Sequence, residues 1–280
     1  MTGKHLLQKM KEKACLGSAV ADTEKSKTSK HPRHGYHLVK GKSRHDMEDY
    51  VFAKFKQVEN NELGLFAIFD GHMSREIADY LQSHLFENIL NEPDFWTKTE
   101  KAIKRAYRVT DKTILDKAVD LGTGGSTAVT AILINCQKLV VANVGDSRAV
   151  ICKNGVAKQL SVDHEPDKER SCIEDRGGFV SKFPGDVPRV DGQLAVARAF
   201  GDKGLKEHLS SEPDVSVENI DDDTECIILA SDGIWKVMTN QEAADCIKYI
   251  ADADAAAKRL AEEAVARNSR DDISCVVVKF

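Results

Sequence analysis

Leu63-Gly64-Leu65-Phe66-Ala67-Ile68-Phe69-Asp70-Gly71-His72 is an apolar run of strand length that stops at a carboxylate, a glycine and an imidazole. Such a run spells a buried strand that delivers Asp70, Gly71 and His72 to one loop. Asp-Gly after a strand is commonly no more than a turn. Repetition argues against that reading here. Ile227 to Leu229 leads into Ala230-Ser231-Asp232-Gly233, and Arg270-Asp271-Asp272 stands directly before the apolar run Ile273 to Phe280. Three strand ends that each carry a carboxylate predict a shared site.

Outward from this stretch the chain alternates between two periodicities. Tyr36 to Lys40 and Tyr50 to Val58 alternate apolar and polar residues as strands do, with Arg44 to Asp49 leading into the second. Ile77, Tyr80, Leu81, Leu85, Ile89 and Leu90 recur at helical spacing, and Ile103, Tyr107, Thr110 and Ile114 mark a second helix over about Asp94 to Ala118. A Gly-rich entry, Leu121 to Ser126, releases into a strand, Thr127 to Ile134. Lys138 to Val144, Ser147 to Lys153 and Val156 to Leu160 form a meander with Asn154-Gly155 as a two-residue hairpin turn. A helix over Asp167 to Arg176 ends at Gly177-Gly178, and Phe179 to Gly192 reads as an irregular flap. Val215 to Val217 and Glu225 to Leu229 are further strands. Helices open at Asn240, with Glu242 close behind, and at Ala253. Strands in runs and helices in pairs predict an α+β fold, a mainly antiparallel sheet system covered by helical hairpins, over a βαβ repeat.

At 280 residues and 41% hydrophobic content the chain can bury one large core. Residues 1–33 carry eight Lys and Arg against three Asp and Glu, so a basic tail of +5 precedes a body, 34–280, of −10. The tail lacks lasting periodicity and reads as solvated; attachment to a membrane surface through Cys15 and its neighbouring lysines is the weaker alternative. The acidic body argues against nucleic acid as a partner. No apolar run approaches the roughly 18 residues of a membrane span, and no signal-peptide core is present, so a cytoplasmic or nuclear location is expected. The seven cysteines include no CxxC pair and none is followed six positions later by Arg. A disulfide framework, a zinc site and the Cys-x5-Arg loop of cysteine-dependent phosphatases are thereby disfavoured. Gly41-Lys42-Ser43 is not a P-loop, because Tyr36 stands where the first glycine belongs and a strand pattern follows.

Carboxylates brought together at one sheet edge repel unless a cation neutralises them. An all-oxygen ligand set favours Mg²⁺ or Mn²⁺ over Zn²⁺. Two such ions can activate a bridging water for in-line attack on a phosphoryl or carbonyl centre, which is hydrolysis without a covalent intermediate. Arg44, four residues before Glu48, is suited to grip two phosphate oxygens. His72 is either the acid that protonates the leaving oxygen or a partner that orients a metal ligand.

Arg44-x-x-Met47-Glu48-Asp49, Phe69-Asp70-Gly71-His72, Gly124-Gly125-Ser126-Thr127-Ala128, Gly145-Asp146-Ser147-Arg148, Asp163-His164-x-Pro166, Arg198-Ala199-Phe200-Gly201-Asp202, Ser231-Asp232-Gly233-Ile234-Trp235 and Asp271-Asp272-Ile273-Ser274 occur in this order. Together they resemble the metal-dependent protein phosphatase 2C family, in the form of its compact plant members, over almost everything after residue 33. The resemblance implies a central antiparallel β-sandwich flanked by antiparallel helix pairs, a four-layer αββα arrangement. It also implies hydrolysis of phosphoserine and phosphothreonine at two Mg²⁺ or Mn²⁺ ions. Carried over, Asp70 bridges the metals, the Gly71 carbonyl binds one, and Asp232 and Asp271 bind the other. Glu48 and Asp49 act mainly through water, and Arg44 holds the phosphate. In some relatives a weaker third metal uses the positions of Asp146 and Asp232. His164 and Asp202 fall in family motifs as turn and scaffold residues.

This chain departs from the family pattern in three places. Met73-Ser74 follows the Asp-Gly-His where relatives often carry Gly-Gly, and Asp272 stands where Asn is usual. The flap lacks the tryptophan through which hormone-receptor-regulated plant relatives are locked. The resulting expectation is a monomeric enzyme acting on phosphoproteins, protein kinases among them. The alternative is a pseudophosphatase that binds phosphoproteins or kinases without turnover.

Overall fold

The structure, a computed structural model, describes residues 31–280. The basic tail expected over 1–33 lies outside the described residues as far as residue 30. Strands β1 (Arg33–Val39), β2 (Asp49–Val58) and β3 (Asn61–His72) come first, then helices α1 (Glu76–Leu90), α2 (Thr99–Asp116) and the single turn α3 (Ala118–Leu121). Strands β4 (Gly125–Ser126), β5 (Ala128–Ile134), β6 (Lys138–Val144), β7 (Arg148–Lys153) and β8 (Val156–Gln159) run into α4 (Arg170–Asp175). The short strands β9 (Val180–Ser181), β10 (Arg189–Val190) and β11 (Phe200–Gly201) precede β12 (Asp214–Asn219) and β13 (Thr224–Ala230). Helices α5 (Asp232–Trp235), α6 (Asn240–Ile247) and α7 (Ala253–Ala266) lead to β14 (Ile273–Lys279).

All strand pairings are antiparallel. One sheet runs β1-β14-β13-β7-β8; in the other, β3 lies between β2 and β5, and β6 and β12 follow outward. The period of two in each strand sorts the side chains into layers. Phe66 and Ile68 of β3, Val129 and Ala131 of β5, Ile227 and Leu229 of β13 and Val276 of β14 meet between the sheets. The opposite residues of β3, Leu65, Ala67 and Phe69, pack under Ile77 and Leu81 of α1 and Ile103 of α2. On the other outer face Ile228, Ala230 and Val277 pack under Ala243 of α6 and Leu260 of α7. The result is the expected four-layer α+β sandwich. Each large apolar side chain fully buried in these layers contributes about 1.5–3 kcal/mol.

Several boundaries differ from the periodicity reading. β1 opens at Arg33, because the edge strand pairs with β14 as far as Lys279. α2 starts at Thr99 rather than near Asp94: Phe95 is buried, and the Asp94 carbonyl accepts from Lys98 in a turn that ends before the helix. α6 is capped by Thr239, one residue before Asn240. Its side chain accepts from Glu242 N while the Glu242 carboxylate accepts from Thr239 N, which forms a capping box. The Asn154-Gly155 turn forms as expected, with positive φ at both residues.

Candidate metal centre

β2 and β3 pair in a register that sets Asp49 directly opposite Asp70. Asp70 continues the Phe66–Ile68 alternation and Asp49 continues that of Val51, Ala53 and Phe55, so both lie on the between-sheet side where the apolar core stops. Beyond Asp70 the partner strand breaks at Thr127, whose N–H donates to the Asp70 carbonyl (2.9 Å) and whose hydroxyl accepts from Asp70 N (3.3 Å). The chain passes so close to the Glu48 carbonyl that a Cβ on Gly71 would meet it at 2.7 Å. Only glycine fits there.

The second sheet contributes the facing carboxylates. Asp146 precedes β7 in a turn built on Gly145, at φ 102°. Buried His164 fixes that turn: its Nδ1 accepts from Gly145 N (3.0 Å), so its proton sits on Nε2 and is donated to Asp214 (2.7 Å). Burial pulls its pKa down. Asp232 follows β13, which pairs with β7, so the Asp146 and Asp232 turns are neighbours. Asp271 precedes β14, which pairs with β13 on its other side.

Carboxylate oxygens of Asp70, Asp146 and Asp232 lie within 4.8 Å of one another. Burial, followed by the neighbouring carboxylates, holds the Asp70 pKa well above the usual range; Asp146 is raised for the same reasons. Asp232 is raised by burial, against the pull of Lys236. Asp49 rises to about 7, driven by burial and moderated by hydrogen bonds from Ser274 and Ser231. Ser274 donates to Asp49 Oδ2 (2.6 Å), whereas Asp49 Oδ1 is buried without a hydrogen-bond partner among the described residues. Glu48 is half-buried, and burial raises its pKa too.

A cleft of about 320 Å³ opens over this cluster. Glu48, Asp70, Gly71, His72, Asp146, Asp232 and Asp271 all line it. Asp271 sits at the rim, half exposed, with the Lys236 ammonium 3.0 Å from one oxygen. His72 donates from Nε2 to the buried carboxylate of Asp202 (2.8 Å). Gly125 permits this contact, since a Cβ there would lie 2.1 Å from Asp202 Oδ2. Arg44 is exposed on the loop before β2 and is not among the lining residues; neighbouring His45 is.

Sequence reasoning singled out neither His45, Lys236 nor Arg189, which reaches the cleft from the flap, and it read Asp202 as scaffold alone. Lys236 was detectable as the residue four places after Asp232 on a short helix. Asp272, whose extra charge departs from the family pattern, accepts from Gly41 N (2.7 Å) on one oxygen and Glu48 N (2.9 Å) on the other. Its carboxylate is thus occupied in stitching strand ends together.

A family profile described as Protein phosphatase 2C matches residues 39–273. The Arabidopsis thaliana protein named probable protein phosphatase 2C 39 is 73% identical over 100% of both chains. Probable protein phosphatase 2C 62 of Oryza sativa subsp. japonica is 63% identical over 100% of this chain and 99% of its own. Among solved structures, a serine-threonine phosphatase 2C from Toxoplasma gondii shares the fold with a TM-score of 0.76 at 23% identity, covering 88% of this chain and 94% of that one.

Proposed function

The chain belongs to the protein phosphatase 2C family and is a protein phosphatase, and from that premise we propose that it hydrolyses phosphoserine and phosphothreonine at a centre of two Mg²⁺ or Mn²⁺ ions without a phosphoenzyme. The convergence of Asp70, Asp146 and Asp232 within 4.8 Å carries the reading. Three half-buried carboxylates with raised pKa values, beside an Asp49 Oδ1 that has no hydrogen-bond partner among the described residues, fit hard divalent cations. Asp70 would be shared between two ions, with the Gly71 carbonyl on one and Asp232 and Asp271 on the other. Glu48 and Asp49 would act through water, and Asp146 would hold a weaker third ion. When bound, such ions neutralise the cluster and lower the pKa of a water until it can serve as the nucleophile.

The remaining steps belong to side chains. His72, held by Asp202, would give its proton to the departing serine or threonine oxygen. Arg44 would grip the phosphate: its guanidinium has no ion-pair partner among the described residues and stands on the loop that leads to Glu48. Phosphoproteins, protein kinases among them, would be the substrates of a monomeric enzyme.

The test is hydrolysis of a phosphothreonine peptide by the purified full chain. Turnover is expected only with Mn²⁺ or Mg²⁺, and Asp70→Asn and Asp232→Asn should fall to the background rate while keeping the wild-type circular dichroism spectrum. Turnover after metal removal, or full activity in either variant, would overturn the mechanism.

A further inference from the structure

Lys236 closes the first turn of α5 and places its ammonium 2.5 Å from Asp232 Oδ2 and 3.0 Å from Asp271 Oδ2. Its backbone N–H donates to the Asp232 carbonyl (2.8 Å), so the helical turn itself fixes the approach. Among the described residues no other Lys or Arg is ion-paired with Asp70, Asp146, Asp232 or Asp271. Among the described residues the charge of these four carboxylates is therefore met by a Lys or Arg at one point only.

We propose that Lys236 is a tethered counter-ion that occupies the Asp232–Asp271 oxygens in the metal-free protein and competes with divalent cations for them. The inference rests on the reading of these aspartates as metal ligands. A cation bound through Asp232 Oδ2 would crowd the oxygen that the ammonium already engages, and two positive centres a few ångströms apart repel. The side chain is 55% exposed, which gives the displaced ammonium an open path to solvent. Lys236 thus has two effects of opposite sign. It offsets carboxylate repulsion when no metal is bound, and it weakens metal binding, so that the ions are exchangeable rather than permanently held.

Calorimetric titration of Mn²⁺ into the EDTA-stripped full chain tests this, with Lys236→Met as the neutral variant of similar length and Lys236→Arg as the charge-conserving one. Lys236→Met should bind Mn²⁺ about tenfold more tightly than wild type, and its stripped form should melt at a lower temperature. Lys236→Arg should stay near wild type in both. Equal or weaker Mn²⁺ binding by a folded Lys236→Met protein would refute the competition. Asp70→Asn is titrated in parallel: if it loses Mn²⁺ binding while Lys236→Met is unchanged, only the role of Lys236 fails. If Asp70→Asn binds Mn²⁺ as wild type does, the metal centre itself is wrong. A measurement on the unaltered chain covers the case in which the stripped variant does not fold. Labelling by an amine-acylating reagent, read by mass spectrometry, should increase at Lys236 when saturating Mn²⁺ is added, and an unchanged yield would count against the displacement.

Discussion

His72 and Asp202 are 130 residues apart in sequence and joined by a 2.8 Å hydrogen bond. The carboxylate accepts the Nε2 hydrogen bond, which orients the ring in the cleft and leaves Nδ1 as the nitrogen for proton exchange. Asp202 is therefore a positioning residue. Asp202→Asn should lower kcat by roughly 10- to 100-fold, with KM for a phosphothreonine peptide little changed. A merely structural role would instead move the melting temperature and leave kcat per folded molecule intact. Such pairs mark how far single residues were legible. Asp70 stood out because an apolar strand ends on it, and Asp232 and Asp271 because the same pattern recurs. Asp202 carries no local signal of this kind, since its function arises only when β11 and β4 bring it against the end of β3. Lys236 did carry a signal, its four-residue spacing from Asp232, but a lysine beside a strand end reads as ordinary surface until the carboxylates around it are seen.

The helices and hairpins that carry these residues depend on contacts that close their ends. Asp272 holds three of them: it leads into β14, accepts from Gly41 N just past β1, and accepts from Glu48 N just before β2. A carboxylate can accept on both oxygens, whereas an asparagine must turn its NH₂ towards one of the two donors. Asp272→Asn should therefore destabilise the protein by about 1–3 kcal/mol in urea unfolding of the metal-free chain. An unchanged midpoint would show that the strand ends are held elsewhere. Elements specified by their own periodicity, such as β3, β5, α1 and α7, were readable. Those specified by tertiary contact were not. β4 and β11 are two residues long and exist because each pairs with a neighbour remote in sequence, and α5 is a single turn, too short for any periodicity to announce it. β12 runs polar residues such as Ser216 and Glu218 along a sheet edge, so its full length shows only in its pairing with β6.

At the largest scale, residues 31–280 form a sandwich whose between-sheet layer changes from apolar to acidic along its length. The alternation that buries Phe66 and Ile68 is the one that delivers Asp70, and this continuity let the fold class and the site be read from the same residues. The cost of that placement appears in the metal-free protein. Asp49, at about 7, and Asp70, Asp146 and Asp232, all raised, keep protons in the folded state that the unfolded chain releases near pH 4. Below about pH 4 both states are protonated and these groups contribute nothing to pH dependence. As pH rises from there through about 7, where Asp49 titrates, the folded state binds more protons than the unfolded one, so stability falls over this window. Carboxylates lowered by ion pairs, such as Asp214 and Glu218, act in the opposite sense but have finished titrating below about pH 5. The EDTA-treated chain should thus melt several degrees lower at pH 7.5 than at pH 5.5, and Mn²⁺ should raise the melting temperature more at pH 7.5, where fewer protons compete with it for the carboxylates. Asp49→Asn separates this effect from the histidines, because the amide oxygen can still accept from Ser274 while the titrating proton is gone. Thermal unfolding of that variant without metal should show a shallower pH dependence than wild type. A slope as steep as before would place the pH sensitivity outside the acidic end of the sandwich.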